Sequence, residues 1–396
     1  MVPAAIPLDN PVQDYAWGSR TAIAAFLGRP PSGGPEAELW VGAHPKAPSR
    51  AAVDGTSLLE LIRRAPEVML GASIAARFAG ELPFLLKLIA AAEPLSIQCH
   101  PNLEQARAGF ERETRAGIPL SAPERNYRDA NHKPELVVAL APFVGLHGFR
   151  PVEEILRQLL SIPMPEIEAP LAALDRARDA AALKALFSSL LTLNQEARLA
   201  LVARAAETAA SRRQDDAAWH WAGQLCRKHP GDVGVLAPLL LNLIELQPGD
   251  ALYLPAGELH AYLEGTAIEI MPNSDNVLRG GLTTKHVDVP ELLATASFRM
   301  AKPRVLRPEA RAPGERVYRT PAREFELALL DVTARRPWAS PQGRGVELLL
   351  GLEGDVALVA EGRHSLARGR AAFVPAAVSG YRLEGSGQVC RAAVPG

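Results

Sequence analysis

The chain has 396 residues, of which 48% are hydrophobic and 22% charged, a composition that excludes a disordered or fibrous protein. Its formal net charge is -1, so no overall field attracts nucleic acid or an anionic membrane, and we expect neither as a partner. The three cysteines, Cys99, Cys226 and Cys390, fit no disulfide framework and no cysteine-based zinc site. Because the sequence also lacks a signal-peptide pattern and a membrane-spanning apolar stretch, we expect a cytoplasmic protein.

The length predicts two or three packed units, of which the first is rich in β-strands. Within residues 1–148, short apolar runs at 38–42, 82–89 and 136–144 lie between Pro and Gly residues and predict strands. We expect a helical insertion over 149–230, where the sequence becomes rich in Ala, Leu, Arg and Glu. Apolar residues recur there at helical spacing, at Leu183, Leu186, Phe187, Leu190 and Leu191.

The strand pattern returns after the insertion and completes the first unit over residues 231–300, which include a helix-like run at 290–298. A segment rich in Pro and Arg, 302–316, is predicted to be a linker. Residues 301–396 carry apolar runs between Gly turns and predict a second β-rich module. The expected fold is mainly β, with a helical domain inserted into the first of two β-rich modules.

Both β-rich modules contain a turn motif that resembles the second signature of cupins. In the first copy Gly249 begins a turn into a strand, Pro255 and Gly257 tighten the next turn, and His260 enters the following strand pointing into the barrel. The second copy begins at residue 369 with the same spacing but has Gly380 in place of the histidine. We therefore expect two cupin-like jelly-roll modules, the second degenerate, and one metal per chain in the first.

Four polar residues form the candidate metal site of the first module. Gln98 and His100 are separated by one residue, so on a strand both side chains point to the same face. Glu135 opens an apolar strand, where a carboxylate is costly unless it is paired or bound to a metal. With the inward-pointing His260, the site has two imidazoles, a carboxylate and an amide oxygen. This set suits Zn2+ with positions open to water or substrate.

Polar and cationic residues crowd the segment 274–285, which follows the second half of the cupin motif. Arg279 can donate several fixed hydrogen bonds to an enediolate or a phosphate, whereas Lys285 offers a mobile point charge. These cations predict that the ligand is an anionic sugar.

The sequence is similar to the type I mannose-6-phosphate isomerases. YRDANHKPE at 127–135 and the segment 260–285 resemble the two signatures of that family, and the similarity continues through YAWGS, ELWVGAHP, LPFLLKLI and QCHPN. The resemblance implies that Arg279 is the active-site arginine and that the zinc ligands are the four residues of the candidate site, Gln98, His100, Glu135 and His260. The chain departs from the family pattern at Pro272, Gly280 and Thr284.

The reaction that the resemblance implies interconverts mannose 6-phosphate and fructose 6-phosphate through an enediol. It requires an acid–base pair, a cation for the developing oxyanion and a group that holds the phosphate. We expect Lys133, with His132 or Asp275, to transfer protons, and Arg279 to stabilise the enediolate or, alternatively, to bind the phosphate.

The phosphate itself is expected to contact Lys285 and Lys87, and Trp17 is expected to wall the pocket, although plain core packing is an equal interpretation for Trp17. Two other classes compete with the isomerase. A cupin dioxygenase with Fe(II) is disfavoured by the glutamine ligand and the Arg/Lys cluster. A sugar-binding cupin without activity has little need of HKPE or SDNVLRGG. We expect a monomer.

Overall fold

The computed structural model describes residues 4–214 and 216–396. Its strands are β1 Ile6–Asp9, β2 Val12–Gln13, β3 Glu38–Gly42, β4 Arg50–Ala51, β5 Phe84–Ala91, β6 Ile97–Cys99, β7 Glu135–Ala139, β8 Phe143–Phe149, β9 Leu241–Leu246, β10 Ala251–Leu254, β11 His260–Pro272, β12 Leu278–Gly281, β13 Val305–Leu306, β14 Glu309–Ala312, β15 Glu315–Tyr318, β16 Glu326–Val332, β17 Trp338–Ala339, β18 Glu347–Val359, β19 Arg363–Ser365, β20 Ala371–Val374 and β21 Arg382–Ala393.

The α-helices are α1 Ala22–Phe26, α2 Leu58–Arg64, α3 Pro66–Leu70, α4 Ala72–Arg77, α5 Leu103–Arg115, α6 Val152–Leu159, α7 Glu168–Ala177, α8 Ala180–Leu191, α9 Gln195–Arg212, α10 Ala217–Lys228, α11 Ala237–Leu240 and α12 Val289–Thr295. Short 3-10 helices span Pro165–Ile167 and Val233–Leu236. Among the described residues, no helix has both the length and the apolar character needed to cross a bilayer.

The first jelly roll is built around β11, a strand of 13 residues. The C-terminal half of β11 pairs with β5 and β7, and its N-terminal half pairs with β6 and β8. The register against β8 shifts between Tyr262 and Glu264, and such an irregularity bends a strand and lets it serve two sides of a barrel. Strand β12 pairs only with β6 within the described chain, so β12 forms an edge of the sheet. The site described below lies near this edge.

The helical insertion packs against the edge formed by β6, β8 and β12. Helix α8 begins after Asp179, whose side chain accepts a hydrogen bond from the Ala182 N–H at 2.8 Å. Helices α6 to α10 bury a continuous apolar core that also includes Ile97, Phe149 and Leu278 of the neighbouring strands. Four of the five residues that predicted this helix are buried, Leu183, Leu186, Phe187 and Leu190.

The C-terminal jelly roll is a 10-stranded sheet to which the N-terminus contributes. Strand β1 pairs with β20 and with β4, so two short strands from residues 1–148 belong to this second sheet. Apolar residues of both modules share one core, for example Leu86 and Ile268 from the first and Leu348 and Phe373 from the second. The two modules are therefore joined by buried apolar surface as well as by the chain.

The predicted fold class, mainly β with two cupin-like jelly rolls and a helical region, is confirmed. Strand β3 has the predicted bounds, but the run 136–144 forms two strands, β7 and β8. The predicted linker 302–316 is wrong, because it contains β13, β14 and the start of β15. The prolines of this segment, Pro303, Pro308 and Pro313, lie before or between the short strands and not within them, so the Pro-rich composition does not reveal the strands.

Candidate metal centre and active site

His100, Glu135 and His260 meet in the interior of the first jelly roll. Nε2 of His100 lies 3.4 Å from Oε1 of Glu135, and Nε2 of His260 lies 3.4 Å from Oε2 of the same carboxylate. All three residues are buried, and within the described chain they form a group whose ligand atoms lie within 4.8 Å of one another. Gln98 is the register partner of His260, so its side chain lies on the same face of the sheet.

A backbone carbonyl fixes the orientation of each imidazole. Nδ1 of His100 lies 2.8 Å from the carbonyl oxygen of Asn276, and Nδ1 of His260 lies 3.0 Å from that of Glu258. Because a carbonyl only accepts, each Nδ1 carries a proton, and in the neutral imidazole Nε2 then presents a lone pair toward Glu135. Among the described residues, the buried Nε2 of His100 has no hydrogen-bond partner. A metal cation bound between these atoms would satisfy that lone pair, so the residues fit a zinc ion.

The charges around Glu135 favour the protonation states that bind a metal. Burial lowers the pKa of His100 to about 4, and the ammonium group of Lys133 acts in the same direction. Burial opposes ionisation of Glu135, but Lys133 and His100 hold the pKa of this carboxyl well below its ordinary value. At neutral pH His100 is therefore neutral and Glu135 is ionised, as metal ligands must be.

Asn276 ties the metal centre to the loop that precedes Glu135. This residue is fully buried. Its side-chain oxygen accepts the backbone N–H groups of Arg128 and Asp129 at 2.7 and 3.2 Å. Its amide group donates to the carbonyl oxygens of Asp129 and Asn131, both at 2.9 Å. The Asn276 carbonyl also accepts a hydrogen bond from Nδ1 of His100. One asparagine therefore fixes both the loop and a candidate metal ligand.

Lys87 lies beside the centre in a buried network of carboxylates. Its Nζ is 3.0 Å from Oε2 of Glu269 and 3.7 Å from Oε2 of Glu38. The Tyr262 hydroxyl donates to Oε1 of Glu269 at 2.8 Å. Burial opposes the charge on Lys87, but the two carboxylates reverse that effect and raise its pKa, while burial raises the pKa of Glu269. Lys87 is thus a charged residue that is already paired twice.

Arg279, Lys285 and Arg128 form a group of mutually repelling cations. Arg279 is the register partner of Gln98, which brings it next to the metal centre. Burial lowers the pKa of Arg279, and Arg128 lowers it further. Burial also lowers the pKa of Lys285, followed by the charges of Arg279 and Arg128. Cations that raise each other's energy in this way are suited to a multiply charged anion.

The remaining predicted proton-transfer residues lie in two separate settings. Nε2 of His132 is 2.9 Å from Oε1 of Glu324, a residue of the C-terminal part of the chain. Oδ1 of Asp275 is 3.4 Å from Nζ of Lys46 and 3.9 Å from Nε2 of His44. His132 therefore already has a carboxylate partner, Glu324. Asp275 already has the ammonium group of Lys46 beside it, and His44 when that imidazole is protonated.

Trp17 is half-buried and packs against an apolar cluster. Its ring also stacks on Tyr15, with 5.8 Å between the ring centroids, and Tyr15 is 40% exposed. Trp17 thus combines core packing on one side with an aromatic surface on the other.

Sequence reasoning did not predict the roles of Glu38, Glu269 and Arg128. A signal was available for the two glutamates, because Glu38 begins the apolar run ELWVG of β3 and Glu269 interrupts the apolar run IEIMP in β11. A carboxylate at such a position is costly without a partner. Arg128 offered no comparable signal, since it lies in a loop with mixed polarity.

The chain is similar to known proteins over nearly its whole length. Residues 5–152 match the family model "Phosphomannose isomerase type I, catalytic domain". Over 394 residues the chain is 41% identical to the mannose-6-phosphate isomerase of Escherichia coli K12, covering 97% of this chain and 98% of that protein. The human mannose-6-phosphate isomerase is 36% identical over 321 residues, covering 75% of this chain and 74% of the human protein.

Solved structures agree with the sequence comparison. A crystal structure of mannose 6-phosphate isomerase described as holo and zinc bound has a TM-score of 0.91 and 39% identity, covering 98% of this chain and 99% of that one. The apo form from Salmonella typhimurium gives the same values. Identity at this level over nearly the whole of both chains establishes membership. The chain is an isomerase and belongs to the type I phosphomannose isomerase family.

Proposed function

We propose that this chain is a zinc-dependent mannose-6-phosphate isomerase that interconverts mannose 6-phosphate and fructose 6-phosphate. The observation that carries the proposal is the juxtaposition of two groups. The buried His100–Glu135–His260 cluster has a lone pair without a partner among the described residues, and the cation Arg279 lies one strand away, opposite Gln98. A metal site next to a cation group matches a substrate that carries both hydroxyl groups and a phosphate.

The zinc ligands in this proposal are Gln98, His100, Glu135 and His260, with one ion per chain. When bound, zinc supplies Lewis-acid polarisation of a sugar oxygen. The chain's own contribution is to hold the ligands in position: the carbonyls of Asn276 and Glu258 orient the two imidazoles.

Proton transfer between C2 and C1 of the open-chain sugar is assigned to Lys133. Its support is position, because Nζ lies 3.0 Å from Glu135 at the edge of the centre, within reach of a sugar bound there. His132 and Asp275 are kept as its partners. The contact of His132 with Glu324 then orients the imidazole, as a carboxylate orients a histidine in other acid–base sites.

The anionic parts of the substrate are assigned to the cation group. We assign stabilisation of the enediolate to Arg279, because its register partner is the proposed ligand Gln98. Lys285 and Arg128 are assigned to the phosphate. Lys87 is assigned to the carboxylate network rather than to the phosphate, since Glu269 and Glu38 already pair with it. Trp17 and the stacked Tyr15 are proposed to wall the pocket.

We further propose that the protein is a cytoplasmic monomer. The cysteines Cys99, Cys226 and Cys390 are free and buried, which fits a reducing compartment. Among the described residues, few large apolar side chains are exposed, namely Tyr15, Val53, Val68, Leu120, Leu160, Leu199 and Val305, which supports a monomer.

The isotope label of the product tests the proposed chemistry. Zinc-loaded protein is incubated with mannose 6-phosphate in deuterated water, and the fructose 6-phosphate formed is followed by NMR. Proton transfer through an enediol predicts some deuterium at C1 of the product, because the acid–base group exchanges with solvent. Because the ammonium group of Lys133 would mix the abstracted proton with two deuterons from solvent, product formed without any deuterium at C1 would remove the role given to Lys133.

A further inference from the structure

Asp232 connects the end of the helical insertion to the loop that follows β12. Its Oδ1 accepts the backbone N–H of Gly234 at 2.7 Å, which caps the 3-10 helix Val233–Leu236. Its Oδ2 accepts the backbone N–H of Thr283 at 3.1 Å. One carboxylate therefore bridges two segments that are 51 residues apart in sequence.

The two segments are packed with no room for adjustment. A Cβ placed on Gly281 would lie 2.9 Å from Cα of Gly234 and 3.0 Å from Oδ1 of Asp232, closer than such atoms approach. The next residue, Leu282, has a φ of +55°, a left-handed conformation that is costly for leucine. Its side chain is buried in the core that includes the helical insertion. The loop after β12 is thus held in a conformation that it would not adopt alone.

The same loop carries Lys285. The Lys285 N–H donates to Oγ1 of Thr283 at 3.1 Å, so the path from Asp232 to Lys285 runs through a single residue. Arg279 is held differently, because β12 pairs with β6 through Leu278 and Cys99 and through Arg279 and Gln98. Asp232 therefore holds the loop of Lys285 directly, whereas Arg279 is held mainly by the pairing of β12 with β6.

We propose that Asp232 is a positioning residue for the phosphate-binding part of the active site, and that the helical insertion serves, through this carboxylate, to fix the loop of Lys285. The inference rests on the proposed function, since it assigns Lys285 to the phosphate of the substrate. The helical insertion then contributes to the affinity of the active site for its substrate.

The test measures phosphate affinity separately from turnover. Asp232→Ala removes both hydrogen bonds, and Asp232→Asn keeps one acceptor oxygen and therefore only one of them. For both zinc-loaded variants we expect the KM for mannose 6-phosphate and the inhibition constant of inorganic phosphate to rise about tenfold, with kcat within about twofold of wild type. Asp179→Ala is the matched control. It removes the side-chain cap of α8 in the same insertion, which among the described residues makes no hydrogen bond to the loop of Lys285, and both constants should stay unchanged.

A double-mutant cycle separates positioning of Lys285 from a general loss of structure. In a Lys285→Ala background, Asp232→Ala should add little to KM, because the group that it positions is gone. Equal effects of Asp232→Ala in both backgrounds, or an unchanged inhibition constant of phosphate, would overturn the inference. If Asp232→Ala does not fold, Asp232→Asn decides alone. Failure of the proposed function is distinguishable, because the wild-type protein itself would then lack isomerase activity.

Discussion

Nζ of Lys133 lies 3.0 Å from Oε1 of Glu135, and the same oxygen lies 3.4 Å from Nε2 of His100. One carboxylate is therefore shared between an ammonium group and the candidate metal centre. This arrangement keeps Glu135 ionised in a buried place. It also holds the lysine at the edge of the centre, where a bound sugar would present its carbons.

Replacing Lys133 should separate proton transfer from metal binding. Lys133→Met removes the ammonium group and retains a side chain of similar length. We expect zinc content to remain near one ion per chain, while kcat falls by about 10²- to 10⁴-fold, the usual effect of losing an acid–base group. Metal analysis and initial rates measure both quantities. Lys302→Met, at a position 73% exposed, is the control. Retention of full kcat in Lys133→Met would exclude Lys133 as the acid–base group.

Neutralising Glu135 should primarily affect the metal. Glu135→Gln preserves the shape but leaves the centre without its ionised ligand, and Lys133 without its partner. We expect zinc affinity to fall by at least about tenfold, since a ligand anion is lost. Competition with a chelator of known affinity gives the value for variant and wild type. Unchanged zinc affinity would place the ion elsewhere.

Asn276 is expected to control both the stability of the protein and the affinity of the centre. Asn276→Ala removes the partner of several backbone groups of the partly buried loop 128–131, and a buried group left without a partner costs about 1–3 kcal/mol. We expect a loss of roughly 3 kcal/mol or more in the free energy of unfolding, measured with urea on the zinc-free protein. Zinc affinity should fall about 10- to 100-fold, as when other groups that orient metal ligands are removed. A variant with normal zinc affinity would contradict this role.

Buried histidines make the zinc-free protein sensitive to acid. Burial lowers the pKa of His147 to about 3, whereas an imidazole in the unfolded chain has a pKa of about 6.5. Between these values the unfolded state binds more protons, so the free energy of unfolding falls as pH falls, by up to about 1.4 kcal/mol per pH unit for one histidine. Urea unfolding of the zinc-free protein at several pH values between about 6.5 and 4.5 measures how the free energy of unfolding changes with pH. His147→Gln should flatten this dependence, and parallel profiles would refute the assignment.

The sequence was most informative where a single residue type conflicts with its surroundings. Glu135 at the start of an apolar strand and His260 after a Pro-x-Gly turn both predicted a site, and the structure brings them together with His100. Local pattern suffices here because the strand and the turn fix the side-chain direction.

The partners of Lys87 and His132 could not be predicted from the sequence, because they lie far away along the chain. Lys87 contacts Glu269 across the pairing of β5 and β11, and its partner is 182 residues away. His132 contacts Glu324, 192 residues away, in the other β module. Such pairings depend on sheet register and on the packing of whole modules. No local periodicity encodes them.

The central claim is that the His100–Glu135–His260 centre binds zinc and that this ion is required for isomerisation of mannose 6-phosphate. The most direct measurement is the rate of fructose 6-phosphate formation by purified protein before chelation, after chelation and after one equivalent of zinc is returned. We expect activity to disappear with the metal and to be restored by zinc. Absence of fructose 6-phosphate with the zinc-loaded protein, or full activity without metal, would contradict the account.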